Sequence, residues 1–264
     1  MQANCNNYKF YNIMKTPCEY RAQAREALQN RWGEAAIATA IITGIALFCS
    51  IPSLKESTND LMYGIASLYD IPLEDLNTVN KPAVFSWGSY LTTLLAILII
   101  PIEYAFYIAL LNLARKNKSN ILDNIWNTTT KTYSKMLGTG ILYTVIITFV
   151  SIFTLGIGGV ILSYAYRMVP YLLQDYPELT PREALKISRE MMRGNKWRLF
   201  VLDLSFIGWI LLSIITLCIG MLLVTPYMQI ASAFFYEDLK AKTIVEENEE
   251  EKEEVEATEV ETVE

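Results

Sequence analysis

Polar and apolar positions along this chain fall into long blocks. Ala35–Ile51 holds 17 residues without a charge. Phe85–Ala114 holds 30 residues with one charge, Glu103. Met136–Leu173 and Leu199–Tyr236 hold 38 each, with one charge apiece, Arg167 and Asp203. Apolar runs of this length predict helices that cross a bilayer. A straight helix over either longer run would extend about 57 Å, against a hydrocarbon core about 30 Å thick. Each is therefore expected to fold as a hairpin, broken at Leu155-Gly156-Ile157-Gly158-Gly159 and at Thr216-Leu217-Cys218-Ile219-Gly220, where glycine relaxes the backbone. The count is six transmembrane helices, at about 35–51, 87–113, 137–154, 158–174, 198–216 and 219–236. The fold class is all-α and polytopic: an N-terminal segment (1–17), a membrane domain (18–239) and a tail (240–264).

Charge sets the expected orientation, because Lys and Arg near helix ends favour the cytoplasmic side. Lys9, Lys15, Arg21, Arg25 and Arg31 precede the first span. Arg115, Lys116, Lys118, Lys131 and Lys135 lie in the second polar connection. Arg182, Lys186, Arg189, Arg193, Lys196 and Arg198 lie in the third and are candidate contacts for lipid headgroups. The 52–84 loop has Lys55 and Lys81 against five acids, and the Gly-rich turns carry no charge. Six spans with both termini inside satisfy all these segments. A signal peptide competes for 35–51, but the 34 residues before it are long for a charged leader.

Composition agrees, with 52% hydrophobic residues and positive mean hydropathy. The net charge of -6 misleads, because residues 243–264 alone carry eleven Glu and one Lys. The tail reads as a disordered acidic extension, and the rest of the chain is +4. It is a solvated terminus or a docking segment for a basic protein partner. The absence of histidine excludes Ser-His-Asp and Cys-His catalysis and His-ligated metals. Cys5, Cys18, Cys49 and Cys218 form no CxxC pair, and free thiols are expected in preference to a Cys49–Cys218 disulfide. No cofactor, metal or nucleic acid is expected, and no enzyme activity.

A unit recurs. Thr16-Pro17-Cys18-Glu19 and Thr180-Pro181-Arg182-Glu183 each predict a helix start with a Thr cap, Pro in the first turn and Glu closing a capping box. Trp32 and Trp197 then stand at the mouths of spans. Between them, Ser119 is expected to cap an amphipathic helix with Ile121, Leu122, Ile125, Trp126, Thr129 and Tyr133 on one face. Leu61, Met62, Ile65, Leu68 and Tyr69 predict a short helix on the outer face. The pattern suggests three copies of one module, a basic amphipathic helix on the inner surface followed by a helical hairpin.

Arg182-Glu183-Ala184-Leu185, Ser188, Met192-Arg193-Gly194-Asn195-Lys196, Leu204-Ser205-Phe206-Ile207-Gly208-Trp209, Pro226-Tyr227 and Phe235-Tyr236 carry a resemblance. Together they resemble a bacterial integral membrane family known as domain of unknown function 975, over roughly residues 18–239. Asn195 stands where that family's pattern has histidine. More distantly, the chain is similar to the membrane domain joined to some glycerophosphodiester phosphodiesterases, without their catalytic domain. The resemblance implies a membrane fold, and the family's name carries no activity.

Ionisable residues inside spans are candidate functional groups. Glu103, Arg167 and Asp203 share the inner half of the bilayer in this topology, and Arg167 is expected to pair with one or both acids. Pro101, Pro170 and Pro226 are expected to kink their spans or free a carbonyl. The expected role is a structural or accessory factor that organises lipids, anionic ones among them, or partner proteins. The alternative is a small-solute transporter or permease component built on Glu103, Arg167 and Asp203.

Overall fold

The computed structural model describes residues 14–68, 87–117, 119–216 and 219–261, without side chains for 52–68, 87–89 and 246–261. The described residues contain helices and no strand. In chain order they are α1 (Pro17–Leu28), α2 (Trp32–Leu68), α3 (Trp87–Ala114), α4 (Ile121–Phe153) and α5 (Ile157–Ala165). Then come α6 (Val169–Asp175), α7 (Pro181–Met191), α8 (Lys196–Leu204), α9 (Ile207–Ile215) and α10 (Met221–Glu261).

Four segments are long and apolar enough to cross a membrane: Trp32–Ile51, Tyr90–Ala114, Ile121–Phe153 and Lys196–Ile215. Half of the α3 window is buried, against 17% for the α2 window, so α3 is the central helix and α2 turns most of its apolar surface outward. Phe48, Phe149, Phe153, Leu155 and Ile215 are all more than 60% exposed. So broad an apolar exterior needs a covering, which a bilayer supplies. Inside, Ala105, Ala109 and Leu110 of α3 pack with Leu28 of α1, Ala38 of α2, Leu172 of α6 and Phe235 of α10.

Local sequence explains the helix starts. Thr16 and Thr180 are the N-caps of α1 and α7, and both capping boxes close. The backbone N–H of Thr16 donates to Glu19 Oε2 at 2.7 Å, and that of Thr180 to Glu183 Oε2 at 2.8 Å. These backbone bonds, with the bonds between Thr hydroxyl and Glu carboxylate, hold both glutamates below the ordinary range. The α4 start differs from expectation. Asn120, not Ser119, is the N-cap, and no side-chain cap bond forms. Ile121 and Ile125 are buried there while Leu122 and Trp126 are exposed, so the expected single apolar face is split. The amphipathic segment is also continuous with the span, across a kink at Thr132 (φ −123°, ψ 15°).

The two hairpin turns are built alike. Gly156 takes φ +87° after Leu155 at φ +51°, a left-handed corner that glycine makes without strain. Thr154 Oγ1 accepts the Gly158 N–H at 2.9 Å, and Thr216 Oγ1 accepts the Gly220 N–H at 3.3 Å. Both turns also bring helices close. A Cβ at Gly159 would meet Ser151 Oγ at 1.9 Å, and one at Gly220 would lie 3.0 Å from the Ser213 backbone. Leu217 and Cys218 lie outside the described residues, as does Cys5, so the Cys49–Cys218 question does too. Cys18 and Cys49 are free.

Several expected elements differ in the structure. The 158–174 segment is not one helix. It breaks between α5 and α6 at Tyr166–Met168, where Pro170 in the first turn of α6 has no N–H to continue the ladder. The 198–216 segment tightens into two pieces at Ser205–Phe206, where Arg21 of α1 donates to the Ser205 carbonyl at 3.1 Å. The acidic tail, expected to be disordered, is helical as far as Glu261, in keeping with the good helix propensity of Glu, Lys and Ala. The expected outer helix at 61–69 is, up to Leu68, the end of α2, and Tyr69 onward to residue 86 lies outside the described residues. Helices α3 and α10 run on through Pro101 and Pro226.

Candidate functional site

The polar connections meet at one end of the bundle. Arg31, after α1, donates to the carbonyls of Asn117 at 3.3 Å and Ser119 at 2.8 Å in the α3–α4 connection. Lys135 of α4 donates to the Pro177 carbonyl in the α6–α7 connection. Lys15, before α1, pairs with Asp238 of α10 at 2.8 Å.

Asp175, the last residue of α6, is the centre of this end. Its side chain is 7% exposed and accepts from Arg115, Tyr236 and Lys240. The Arg115 contact is two-pronged, at 2.7 and 2.8 Å. Arg115 also donates from Nε to Glu237 at 2.7 Å. Burial pushes the Asp175 carboxyl up, but hydrogen bonds from Arg115, Lys240 and Tyr236 outweigh it and hold the group at about 2. The same bond to Asp175 leads the causes that raise the Arg115 guanidinium further, against a desolvation that lowers it. Tyr20 donates to Asp238 at 2.9 Å, and burial followed by that carboxylate's charge pushes its hydroxyl above the ordinary range.

The third polar connection is arranged differently. Arg182, Lys186 and Arg189 lie along α7, and Arg193 and Lys196 follow its end around Gly194, which takes φ +79°. These five line a cleft of about 700 Å³ between α7 and α4. Its other walls are Leu142 and Ile146 of α4, Tyr166 and Leu185, with Glu190 as its one acid. Lys186 approaches Glu190 at 4.0 Å with both side chains well exposed, a pairing worth little. No ion pair involves Arg182, Arg189, Arg193 or Lys196 among the described residues. Arg198, the sixth expected headgroup contact, is not in the cleft, and its charge acts on Tyr20 instead.

The intramembrane trio is only partly assembled. Arg167 sits in the break between α5 and α6, within electrostatic reach of Asp203, Tyr164, Tyr107 and Tyr171. Asp203 lies near Tyr164 as well as Arg167. Glu103 is exposed on α3, because Tyr104, Ala105 and Ile108 take the buried face. Tyr107 lies in the field of both Glu103 and Arg167. No ion pair joins Arg167 to either acid among the described residues.

The paired end of the bundle was not singled out from the sequence. Tyr236 belongs to the Phe235-Tyr236 motif, a signal that pointed to this place without saying what it binds. Asp175 carried a weaker signal, as an acid at the edge of a strongly basic connection.

These features define a helical membrane protein with a polar, ion-paired end. A family described as protein of unknown function (DUF975) matches residues 74–243. The chain belongs to that family. The match begins at residue 74, later than the residue 18 start expected from the motifs, and extends past the last of them. Comparison with curated proteins and with solved structures found no match.

Proposed function

We propose that this protein is a non-enzymatic accessory factor of a bacterial cytoplasmic membrane, crossing it six times and organising lipids and partner proteins at its inner face. The observation that carries this reading is the meeting of the segment before α2, the α3–α4 connection, the α6–α7 connection and the α10 end at one side. Between successive meeting points the chain leaves and returns, so each intervening apolar stretch crosses an even number of times. Two crossings each give six. The basic charge at that end fits the cytoplasmic leaflet, with both termini inside. The shared Thr-to-Gly turns and the paired capping boxes support a repeated helix-plus-hairpin module. Absence of histidine and of any nucleophile–base motif in the sequence supports a role outside catalysis.

Native mass spectrometry of the protein extracted with its surrounding membrane tests this. A retained protein partner or a selected lipid is the expected result, with truncation after Lys242 showing whether the acidic helix holds the partner. A bare chain carrying a small solute would contradict it.

The second reading is solute passage. Arg167 at a helix break, near Asp203 and three tyrosines, is the observation in its favour. Cysteines placed at Tyr107 and Tyr164 separate the two. Reaction with aqueous reagents supports a water-filled path, and protection supports a packed core.

A further inference from the structure

We propose that the cleft between α7 and α4 binds an anionic phospholipid carrying more than one phosphate, an inference that rests on the membrane reading above. Charge is the first argument. Elsewhere at this end Lys15 pairs with Asp238, Arg31 with Glu34, Arg115 with Asp175 and Glu237, and Lys240 with Asp175, while Arg21 and Lys135 donate to backbone carbonyls. Around the cleft, five cations face one acid, Glu190. Five cations gathered in one cleft with a single acid favour an anion from outside.

Shape and position narrow the anion. Arg182, Lys186 and Arg189 recur at i, i+4 and i+7, so they form one row on α7. That row is about 10 Å long at 1.5 Å per residue, more than a single phosphate can cover. Arginine grips phosphate oxygens in pairs, which fixes headgroup orientation as well as charge. The inner wall, Leu142 and Ile146, belongs to α4, one of the membrane-crossing helices. A soluble polyphosphate would satisfy the cations and gain nothing from that wall. A lipid satisfies both, with its phosphates along α7 and an acyl chain against Leu142 and Ile146.

The test uses the full chain, stripped of lipid in detergent, then offered equal amounts of phosphatidylcholine, phosphatidylglycerol and a diphosphatidyl lipid. Native mass spectrometry reads what is retained. The two-phosphate lipid should be held at least about tenfold better than phosphatidylcholine. Each basic residue near an anionic headgroup strengthens binding about fivefold, so the triple variant R182Q/K186Q/R189Q should lose roughly a hundredfold. Lys131→Gln, outside the cleft, should retain the preference. Ile146→Asn should weaken the lipid and leave inorganic pyrophosphate binding unchanged. Should the triple variant fail to fold, Arg189→Gln alone, compared with Arg189→Lys, carries the same test at about fivefold.

Equal retention of the three lipids overturns the proposal, as does a folded triple variant that keeps the preference. Pyrophosphate bound at least as tightly as the two-phosphate lipid overturns it too, in favour of a soluble phosphate ligand. Loss of lipid selectivity while a protein partner is still retained refutes the cleft and leaves the accessory reading standing. A selective cleft on a chain that carries a small solute has the reverse meaning.

Discussion

Arg115 closes on Asp175 with two parallel hydrogen bonds, joining the end of α3 to the end of α6 across 60 residues of sequence. Both oxygens of Asp175 are taken, and Tyr236 and Lys240 of α10 share the second. Helices α3, α6 and α10 are thereby tied at one level.

Removing one partner leaves buried charge without its match, which is more damaging than removing the pair. Asp175→Asn should destabilise the protein by about 2–3 kcal/mol, less than the roughly 3–5 kcal/mol of a fully buried pair because Arg115 is partly exposed. Arg115→Met should be similar, and the double variant should lose less than the two together by about 1–2 kcal/mol. Thermal unfolding in one fixed detergent measures the cycle. Additive losses would show that the contact contributes little.

The same carboxylate makes stability depend on acid. Its folded value of about 2 lies below the ordinary 3.8. A depressed carboxyl stabilises the fold fully above its unfolded value, and that contribution disappears as pH falls through the folded value. Melting temperature should therefore fall between about pH 4 and pH 2 on this account, and the fall should be shallower in Asp175→Asn. An unchanged acid limb in that variant would assign the effect to other groups.

The capping boxes supply a local test. Thr16→Ala and Thr180→Ala should each destabilise by about 1 kcal/mol, with no change in lipid retention. A loss well below this at both sites would mean that the rest of the bundle holds α1 and α7 in place without their caps.

Close approach of α3 and α4 depends on Gly140. A Cβ there would lie 2.3 Å from Ile100 Cγ2. Gly140→Ala should destabilise by about 1–3 kcal/mol, and adding Ile100→Ala should recover part of that by clearing the branched methyl. No recovery in the double variant would place the strain elsewhere.

Much of the fold was legible because its signals are local. Thr-Pro-x-Glu specifies a helix start within four residues, and both such starts formed. Runs with at most one charge, Ala35–Ile51 and Phe85–Ala114, lie close to the candidate spans Trp32–Ile51 and Tyr90–Ala114. The break at Tyr166–Met168 was half legible: Pro170 marked it, but where the flanking helices resume depends on packing against α3 and α8. The contacts of Asp175 were not legible. Arg115, Tyr236 and Lys240 are separated along the chain, and a charge pattern does not record which distant charges meet. The tail reads two ways, because its charge density suggests disorder while its Glu, Lys and Ala content suits the helix that extends to Glu261. Of the cleft, the five cations were legible and the Leu142–Ile146 wall was not, since it comes from another helix.

The central claim is that every basic connection lies on one side of the membrane and both hairpin turns on the other. Single cysteines at Ser119, Glu178 and Leu155, in a chain with its own cysteines replaced, test it in oriented vesicles with a membrane-impermeant thiol reagent. The account expects Ser119→Cys and Glu178→Cys to react from the cytoplasmic side and Leu155→Cys from the opposite side. Reaction of Leu155→Cys and Glu178→Cys from the same side would contradict the six-span arrangement.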